Sequence, residues 1–439
     1  MDKEYLIHQH PLQALLIFSL PMMIGNLFQQ FYTMVDSIVV GQFVSQDALA
    51  AVGASYSLTN VFISIAIGGG IGPSVLTSRY FGARNYDRMK GSVQTALLSF
   101  LILSLLLAGI GLLCSRQILL LLNTPANIMD MAIEYLNIYF LGLPFLFLYN
   151  VLSAMFNALG RSRVPLYLLI FSSLFNIALD LFLVLVFHMG VAGVAWATLI
   201  AQGISAVISF LLFLRELKRW SHASQPLFQW RELRQMGNIA LPSILQQSTV
   251  SIGMMLVQSV VNSFGSEVLA GFSAGMRVES FVIVPMSAMG NAMSTFTAQN
   301  IGAGQLDRVP KGYHASMKIV IFLAILICLL LELGYHPIIQ LFLGEDGTTL
   351  AIQTGWFFVL IGLKMISDGL LRGAGHMKPF TIANLLNLFV RVVIAVALAP
   401  LWGVQMVWYA VPIGWLLNFL ISFLAYRTGK WRTIALAKR

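Results

Sequence analysis

Long apolar runs recur from one end of this chain to the other, separated by short polar loops. A helix needs about 20 mostly apolar residues to cross a bilayer. Charged residues make up only 10% of the chain, whereas a soluble protein carries about 25%. The sequence therefore predicts an all-α integral membrane protein with twelve transmembrane helices. We place the spans near residues 15–41, 52–77, 92–114, 132–157, 165–187, 191–214, 239–264, 268–297, 313–335, 350–371, 380–400 and 404–426.

Basic residues are concentrated in alternate loops. One cluster surrounds Arg84 and another runs from Arg215 to Arg234, whereas the loops near Asp47 and His188 contain almost none. Positively charged loops stay on the cytoplasmic side of a membrane. The net charge of +9 is thus explained by topology rather than by nucleic-acid binding. We expect a multi-pass protein of the inner (plasma) membrane with both termini in the cytoplasm.

The two halves resemble each other at an offset of about 220 residues. The matched positions include Leu49 with Leu269, Gly70 with Gly290, Ser74 with Ser294, Gly82 with Gly302, and Asp87-Arg88 with Asp307-Arg308. Six spans per copy give both copies the same orientation, so we predict two parallel six-helix bundles. They would be related by a pseudo-two-fold axis along the membrane normal, with a cleft between them. The lobes are residues 1–214 and 236–439, with a cytoplasmic linker at 215–235.

Ionisable side chains inside the predicted spans are candidates for function. Placing one there costs at least about 2.5 kcal/mol. The candidates are five acids and three bases: Asp36, Asp180, Glu279, Glu332, Asp368, Arg277, Lys364 and Arg391. We expect Arg277 and Glu279 to pair with other residues, and Glu332, near the outer end of its span, to be solvated.

Asp36 and Asp180 lie at similar depths in the first and fifth spans, roughly 9 Å below their outer ends. Asn176 lies one turn below Asp180 on the same face, and Thr198 has matching depth in the sixth span. No basic residue of the first half lies at this level. Such a set of oxygen ligands favours a bound sodium ion, held by Asp36 and Asp180, or proton uptake. The alternative is that these acids only hydrogen-bond to neighbouring helices.

Asp368 follows Lys364 by four residues, which favours an intrahelical ion pair. The alternative is an acidic contact for a cationic substrate. Pro21 removes a backbone hydrogen bond from the helix that carries Asp36, so it predicts a bend that is either static or coupled to ion binding. Methionines predicted to face the cleft are adaptable apolar contacts for substrate, although ordinary packing is the favoured explanation for any one of them. They include Met254, Met286 and Met289.

The sequence shows no nucleotide-binding domain, catalytic constellation or metal-ligand cluster. We therefore predict a secondary transporter, not an enzyme, that needs no cofactor and is driven by an ion gradient. Its partners would be small lipophilic cationic substrates, H⁺ or Na⁺ and membrane lipid, without nucleic acid. We expect a monomer.

Several segments together resemble the multidrug and toxic compound extrusion (MATE) family. These are LPMMIGNLFQQFYTMVDSIVVGQF at residues 20–43, ALAAVG at 48–53, FGARNYDRMKG at 81–91, AQNIGAGQLDR at 298–308 and LRGAGHMKP at 371–379. The resemblance covers essentially the whole chain. It implies a two-lobed fold of twelve helices and export of lipophilic, mostly cationic compounds by proton- or sodium-coupled antiport.

The resemblance also implies a cation site in the first lobe. The matching positions are Asp36, Asn176, Asp180 and Thr198, with Asn150 as a further polar residue. Many relatives carry an acid in the seventh span, where this chain has Gln246, Gln247 and Gln258 instead. Asp368 fits an acidic position that some members use. The alternative function is a lipid-linked saccharide flippase of the same wider fold, which would line its cleft with several arginines or lysines.

Overall fold

The computed structural model describes residues 4–122, 124–220, 225–262, 264, 266–333, 357–403 and 405–437. These residues contain a long helix at each of the twelve predicted spans and no strand. Part of the predicted tenth span, residues 350–356, lies outside them, as do residues 334–335 of the ninth. The prediction of an all-α membrane protein is confirmed.

A short helix, α1 (Tyr5–His8), precedes the first long one. The long helices of the first repeat are α2 (Pro11–Phe43), α3 (Gln46–Gly82), α4 (Tyr86–Leu121), α5 (Met129–Ala158), α6 (Arg163–Leu181) and α7 (Gly190–Trp220). Those of the second repeat are α8 (Trp230–Asn262), α9 (Ser266–Gly302), α10 (Arg308–Leu333), α11 (Phe358–Ala374), α12 (Met377–Val393) and α13 (Gln405–Arg427). A final helix, α14 (Lys430–Ala437), follows.

Two pairs of equivalent helices match in length, and a third pair shares an irregularity of the backbone. Helices α2 and α8 each have 33 residues, and α3 and α9 each have 37. Helix α6 continues into a π-helical turn, Phe182–Val186, and α12 into another, Ile394–Leu398, which is followed by a helical turn, Ala399–Trp402. The repeat seen in the sequence thus extends to irregularities of the backbone.

Within the described residues, ten helical segments are long and apolar enough to cross a membrane. The other two long helices are α9, which carries Arg277 and Glu279, and α11, which has only 17 residues in its described part. A spanning helix satisfies its own backbone groups, which is why apolar runs of this length fold as helices in lipid. At the loops, side chains act as caps: Asn85 accepts a hydrogen bond from the Arg88 amide at the start of α4.

The contacts divide the chain into two compact units. The N-terminal unit comprises Ile24–Phe81 and Asn85–Ala240. The C-terminal unit comprises Leu241–Arg439 together with Met1–Met23 and Gly82–Arg84. Two boundaries within long helices fall close to a proline, Pro21 in α2 and Pro242 in α8.

Small residues bring α9 and α11 into close contact inside the C-terminal unit. A Cβ atom on Gly369 would lie 2.1 Å from the Gly290 carbonyl oxygen, and one on Gly373 would lie 2.3 Å from that of Ser294. The two pairs are four residues apart on each helix. This is the small-residue spacing that lets membrane helices pack backbone against backbone.

The segment that precedes α2 is anchored in the C-terminal unit. Leu6 is buried, and its carbonyl accepts a hydrogen bond from Asn300 Nδ2 at 3.2 Å. Arg308 donates to the Gln9 carbonyl at 2.6 Å, and Arg84 forms an ion pair with Glu4 at 2.6 Å. The first residues of the described chain are therefore held by polar contacts with helix ends and the Gly82–Arg84 segment of this unit.

Candidate functional site

Helices α2 and α6 bring Asp36 and Asp180 together in the N-terminal unit. Asp180 is completely buried and Asp36 is half-buried. The two carboxyl groups are close enough to interact electrostatically with each other. Asp180 lies in the last turn of α6, immediately before the π-helical turn at Phe182–Val186. Such turns are frequent at functional sites because they locally widen the helix.

Two tyrosines complete the surroundings of the acids. Tyr32 and Tyr135 each interact electrostatically with both carboxyl groups. Tyr32 is also in hydrogen-bonding contact with Thr198. Thr198 Oγ1 in turn accepts a hydrogen bond from Asn176 Nδ2 at 3.3 Å. A connected polar cluster therefore links α2, α5, α6 and α7.

Several oxygen atoms of this cluster have no hydrogen-bond partner among the described residues. They are Oδ1 of Asp36, both carboxylate oxygens of Asp180 and Oδ1 of Asn176. Within the same residues, neither aspartate lies within ion-pair distance of a basic side chain. Buried oxygens without partners are costly, and a proton or a hard cation would satisfy them.

Four of the five residues predicted for the cation site thus lie in one cluster: Asp36, Asn176, Asp180 and Thr198. The fifth, Asn150 in α5, donates through Nδ2 to the Leu146 carbonyl of its own helix at 2.8 Å. No hydrogen bond in the described part joins it to the acids. The sequence reasoning did not find Tyr32 or Tyr135. Tyr32 could have been identified from the sequence, because it precedes Asp36 by one helical turn and so lies on the same face of the helix. Nothing in the sequence pointed to Tyr135.

Asp368 lies in a different environment inside the C-terminal unit. It is fully buried, and Lys364 Nζ lies 3.5 Å from its Oδ2 atom. Ser422 Oγ donates to Oδ1 at 2.9 Å. Asn384 Nδ2 and Gln246 Nε2 donate to Oδ2 at 3.1 and 3.4 Å. This carboxylate therefore already has an ammonium group and three hydrogen-bond donors.

The other buried charges of the C-terminal unit are also surrounded by polar groups. Glu279 interacts with Arg391, and both side chains are buried. Arg372 donates to Asn291 Oδ1 at 3.1 Å. The side chains of Arg277 and Glu332 lie outside the described part of the structure. Asp368 and Glu279 thus each have a basic partner, whereas Asp36 and Asp180 have none among the described residues.

The methionines predicted to contact substrate occupy different environments. Met286 and Met289 are completely buried inside the C-terminal unit, and Met254 is half-buried. Contact between these three methionines and a substrate therefore stays a prediction. Among the described residues, no cluster of three or more His, Cys, Asp or Glu side chains could hold a metal ion.

Known proteins match this chain over almost its whole length. The model of the MatE family matches residues 21–182 and 242–397. The chain is 30% identical over 432 residues to the probable multidrug resistance protein YpnP of Bacillus subtilis, with 97% of each chain covered. It is 25% identical over 428 residues to the FAD transporter of Shewanella oneidensis, covering 94% of this chain and 93% of the relative.

Solved structures show the same fold. A structure described as the outward-facing conformation of a multidrug resistance MATE family transporter of the MOP superfamily aligns with a TM-score of 0.90, 23% identity and 99% coverage of both chains. The match of family, fold and length leads to one conclusion: the chain belongs to the MatE family of multidrug and toxic compound extrusion transporters.

Proposed function

We propose that this protein exports small lipophilic compounds from the cell by exchanging them for a cation that binds between Asp36 and Asp180. The observation that carries the proposal is the pair of neighbouring acids with unsatisfied oxygens and no basic partner among the described residues. Neutralising this pair is favourable, and the cation gradient can therefore drive a change in the structure around it.

The coupling cation is H⁺ or Na⁺ in this proposal. Carboxylate, amide and hydroxyl oxygens are the ligands that a hard cation prefers, and Asp36, Asp180, Asn176 and Thr198 supply them. A proton would instead convert one carboxylate of the pair into a hydrogen-bond donor to the other. Inward movement of one cation for each monovalent cation exported removes the cost of about 2.3 kcal/mol per charge at 100 mV.

The substrates we propose are lipophilic and mostly cationic. Several similar proteins have names that denote multidrug resistance or export, among them YpnP of Bacillus subtilis and MepA of Staphylococcus haemolyticus. Apolar side chains such as Met254 would give contacts that adapt to varied shapes. Further elements of the proposal are an inner-membrane location with cytoplasmic termini, a monomeric state and no bound cofactor.

Pro21 would let α2 respond to the cation. The helix continues through this proline from Pro11 to Phe43, so its fourth turn lacks one backbone hydrogen bond. Asp36 lies four turns further along the same helix. In the proposed cycle, cation binding at Asp36 favours one bend of α2 and cation release favours another.

Transport into proteoliposomes tests the proposal. Ethidium transport would be followed by fluorescence under a pH gradient and, separately, under a sodium gradient. One of the two gradients should drive transport, and Asp36→Asn should abolish it. Asp47→Asn is the matched control, because Asp47 is an exposed acid at the start of α3. Undiminished gradient-driven transport by Asp36→Asn would refute cation coupling at this site.

A lipid-linked saccharide flippase is the less favoured alternative. Such a protein needs basic side chains for a pyrophosphate, and the cluster at Asp36 and Asp180 has none among the described residues. Two of the similar proteins, YpnP and MepA, carry names that denote multidrug resistance or export. Transport of ethidium against its gradient would separate the two functions, because a flippase for an anionic lipid-linked saccharide would not transport a cationic dye.

A further inference from the structure

A groove in the N-terminal unit lies apart from the acidic cluster. It has a volume of about 560 Å³ and is bounded by α4, α5, α7 and the segment before α8. Its walls are mostly leucine and phenylalanine side chains, among them Leu97, Leu101, Leu148 and Phe210. Leu101 is 47% exposed and Leu105 on the same helix is 54% exposed, so the groove opens onto an apolar surface of the helices. An apolar groove of this kind is suited to a hydrocarbon chain.

One end of the groove is polar and basic. Lys90 in the first turns of α4, Gln94 one turn later and Lys218 in the last turn of α7 lie at this end. Both lysines lie in helix ends next to basic loops that the positive-inside rule assigns to the cytoplasm. The groove thus combines two ammonium groups at the level of the inner-leaflet headgroups with apolar walls that extend into the membrane.

Two ammonium groups beside apolar walls favour one class of ligand. Basic pockets between membrane helices on the cytoplasmic side bind the headgroups of anionic lipids. The two lysines would repel a cationic drug at this end, and the apolar walls offer no hydrogen bonds to water. We propose that the groove binds one anionic phospholipid of the inner leaflet, with its phosphate between Lys90 and Lys218 and an acyl chain along Leu101 and Leu148.

The site is independent of the proposed transport mechanism. Lys90 and Lys218 lie at the predicted cytoplasmic ends of α4 and α7, whereas Asp36 and Asp180 lie toward the predicted outer ends of α2 and α6. The lipid would fill the space between α4, α5 and α7 and hold the segment before α8 through Leu227, which also lines the groove. Lipid binding can therefore be measured without any assay of transport.

Native mass spectrometry of the full-length protein in detergent tests the headgroup contact. The protein would be titrated with dioleoyl phosphatidylglycerol and, in parallel, with dioleoyl phosphatidylcholine. Each lysine near an anionic lipid contributes about fivefold in affinity, so Lys90→Gln/Lys218→Gln should weaken binding of the first phosphatidylglycerol about 25-fold. The control Lys311→Gln/Lys378→Gln removes two exposed lysines near the starts of α10 and α12 and should change it little.

A second pair of variants tests the apolar walls without changing charge. Leu101→Trp should fill the groove and weaken phosphatidylglycerol binding, whereas Leu113→Trp, at a position 80% exposed on the same helix, should not. The proposal is overturned if phosphatidylcholine binds as tightly as phosphatidylglycerol. It is also overturned if the lysine and Leu101 variants behave like their controls, or if ethidium displaces the lipid as a tighter ligand of the groove.

Discussion

Lys364 places its Nζ atom 3.5 Å from Oδ2 of Asp368, one helical turn away on α11. Both side chains are buried, and the spacing of the two residues in the sequence predicted this ion pair. Asp36 and Asp180 show the opposite arrangement, since these two acids lie together without a basic partner among the described residues. Asp368 therefore has a basic partner on its own helix, and the pair in the N-terminal unit would need an added cation.

Removing Lys364 should destabilise the C-terminal unit. Lys364→Met leaves the Asp368 carboxylate buried without its ammonium partner, and breaking a buried pair in this way costs about 3–5 kcal/mol. We expect the melting temperature in detergent to fall by several degrees. The double variant Lys364→Met/Asp368→Asn removes both charges and keeps the hydrogen-bonding shape of the acid, so it should recover most of the loss. Equal melting temperatures for the single and double variants would contradict a structural ion pair.

Tyr32 should affect the affinity for the coupling cation. Tyr32→Phe removes a hydroxyl group that contacts Thr198 beside the two acids. The loss of one hydrogen bond costs about 1 kcal/mol, which corresponds to about a fivefold weaker apparent affinity for the driving cation. The measurement is the initial rate of dye transport as a function of cation concentration. Tyr56→Phe, at an exposed position of α3, is the control and should leave the half-saturating concentration unchanged.

Gly369→Ala should weaken the contact between α9 and α11. Its new Cβ atom would lie 2.1 Å from a backbone oxygen that cannot move aside as a side chain could. Overpacking of this kind costs about 1–3 kcal/mol, so thermal unfolding in detergent should begin at a lower temperature. The control is Gly109→Ala in α4, where nothing lies within 4 Å of the added atom. Alanine is the better helix former, and this variant should unfold at the same temperature or slightly higher.

The ion pair between Arg84 and Glu4 should make the N-terminal segment sensitive to acid. The hydrogen bond from Arg84 holds the pKa of Glu4 below its ordinary value. A lowered pKa in the folded state means that this contact stabilises the segment above the ordinary pKa of glutamate. The stabilisation is then lost as the pH falls through the lowered value.

Hydrogen exchange of the backbone amides of residues 5–9 measures this effect. Exchange should be slow at pH 6 and should accelerate, after correction for intrinsic rates, below about pH 4. In Arg84→Gln the protection should already be reduced at pH 6 and should depend less on pH. The prediction fails if Arg84→Gln and the wild type lose protection over the same range of pH.

The positions of the helices were predictable because a spanning segment must satisfy its backbone hydrogen bonds internally. Their ends were less predictable. Helix α8 begins at Trp230, nine residues before its apolar run at 239, because a helix can continue into water where polar side chains solvate it. Helix α7 likewise extends to Trp220.

The two acids of the candidate site were predictable because a charged side chain in a membrane span is itself a sign of function. Asp36 and Asp180 were identified from the cost of an acid in lipid, and their common depth followed from the rise per residue of a helix. The partners of Asp368 were not predictable, because Ser422, Asn384 and Gln246 lie on three other helices. Their meeting depends on how those helices are rotated, and polar residues of these types occur in many spans.

The two π-helical turns change the direction of side chains in the helices that contain them. A π-helical turn accommodates one more residue than the α-helical turn it replaces. One follows Asp180 directly in α6, and the other stands at the corresponding end of α12. Each extra residue turns the rest of its helix further about the axis, so side chains on the two sides of the π-helical turn face directions that a regular helix could not give them. Both repeats therefore aim the outer ends of these helices in the same irregular way.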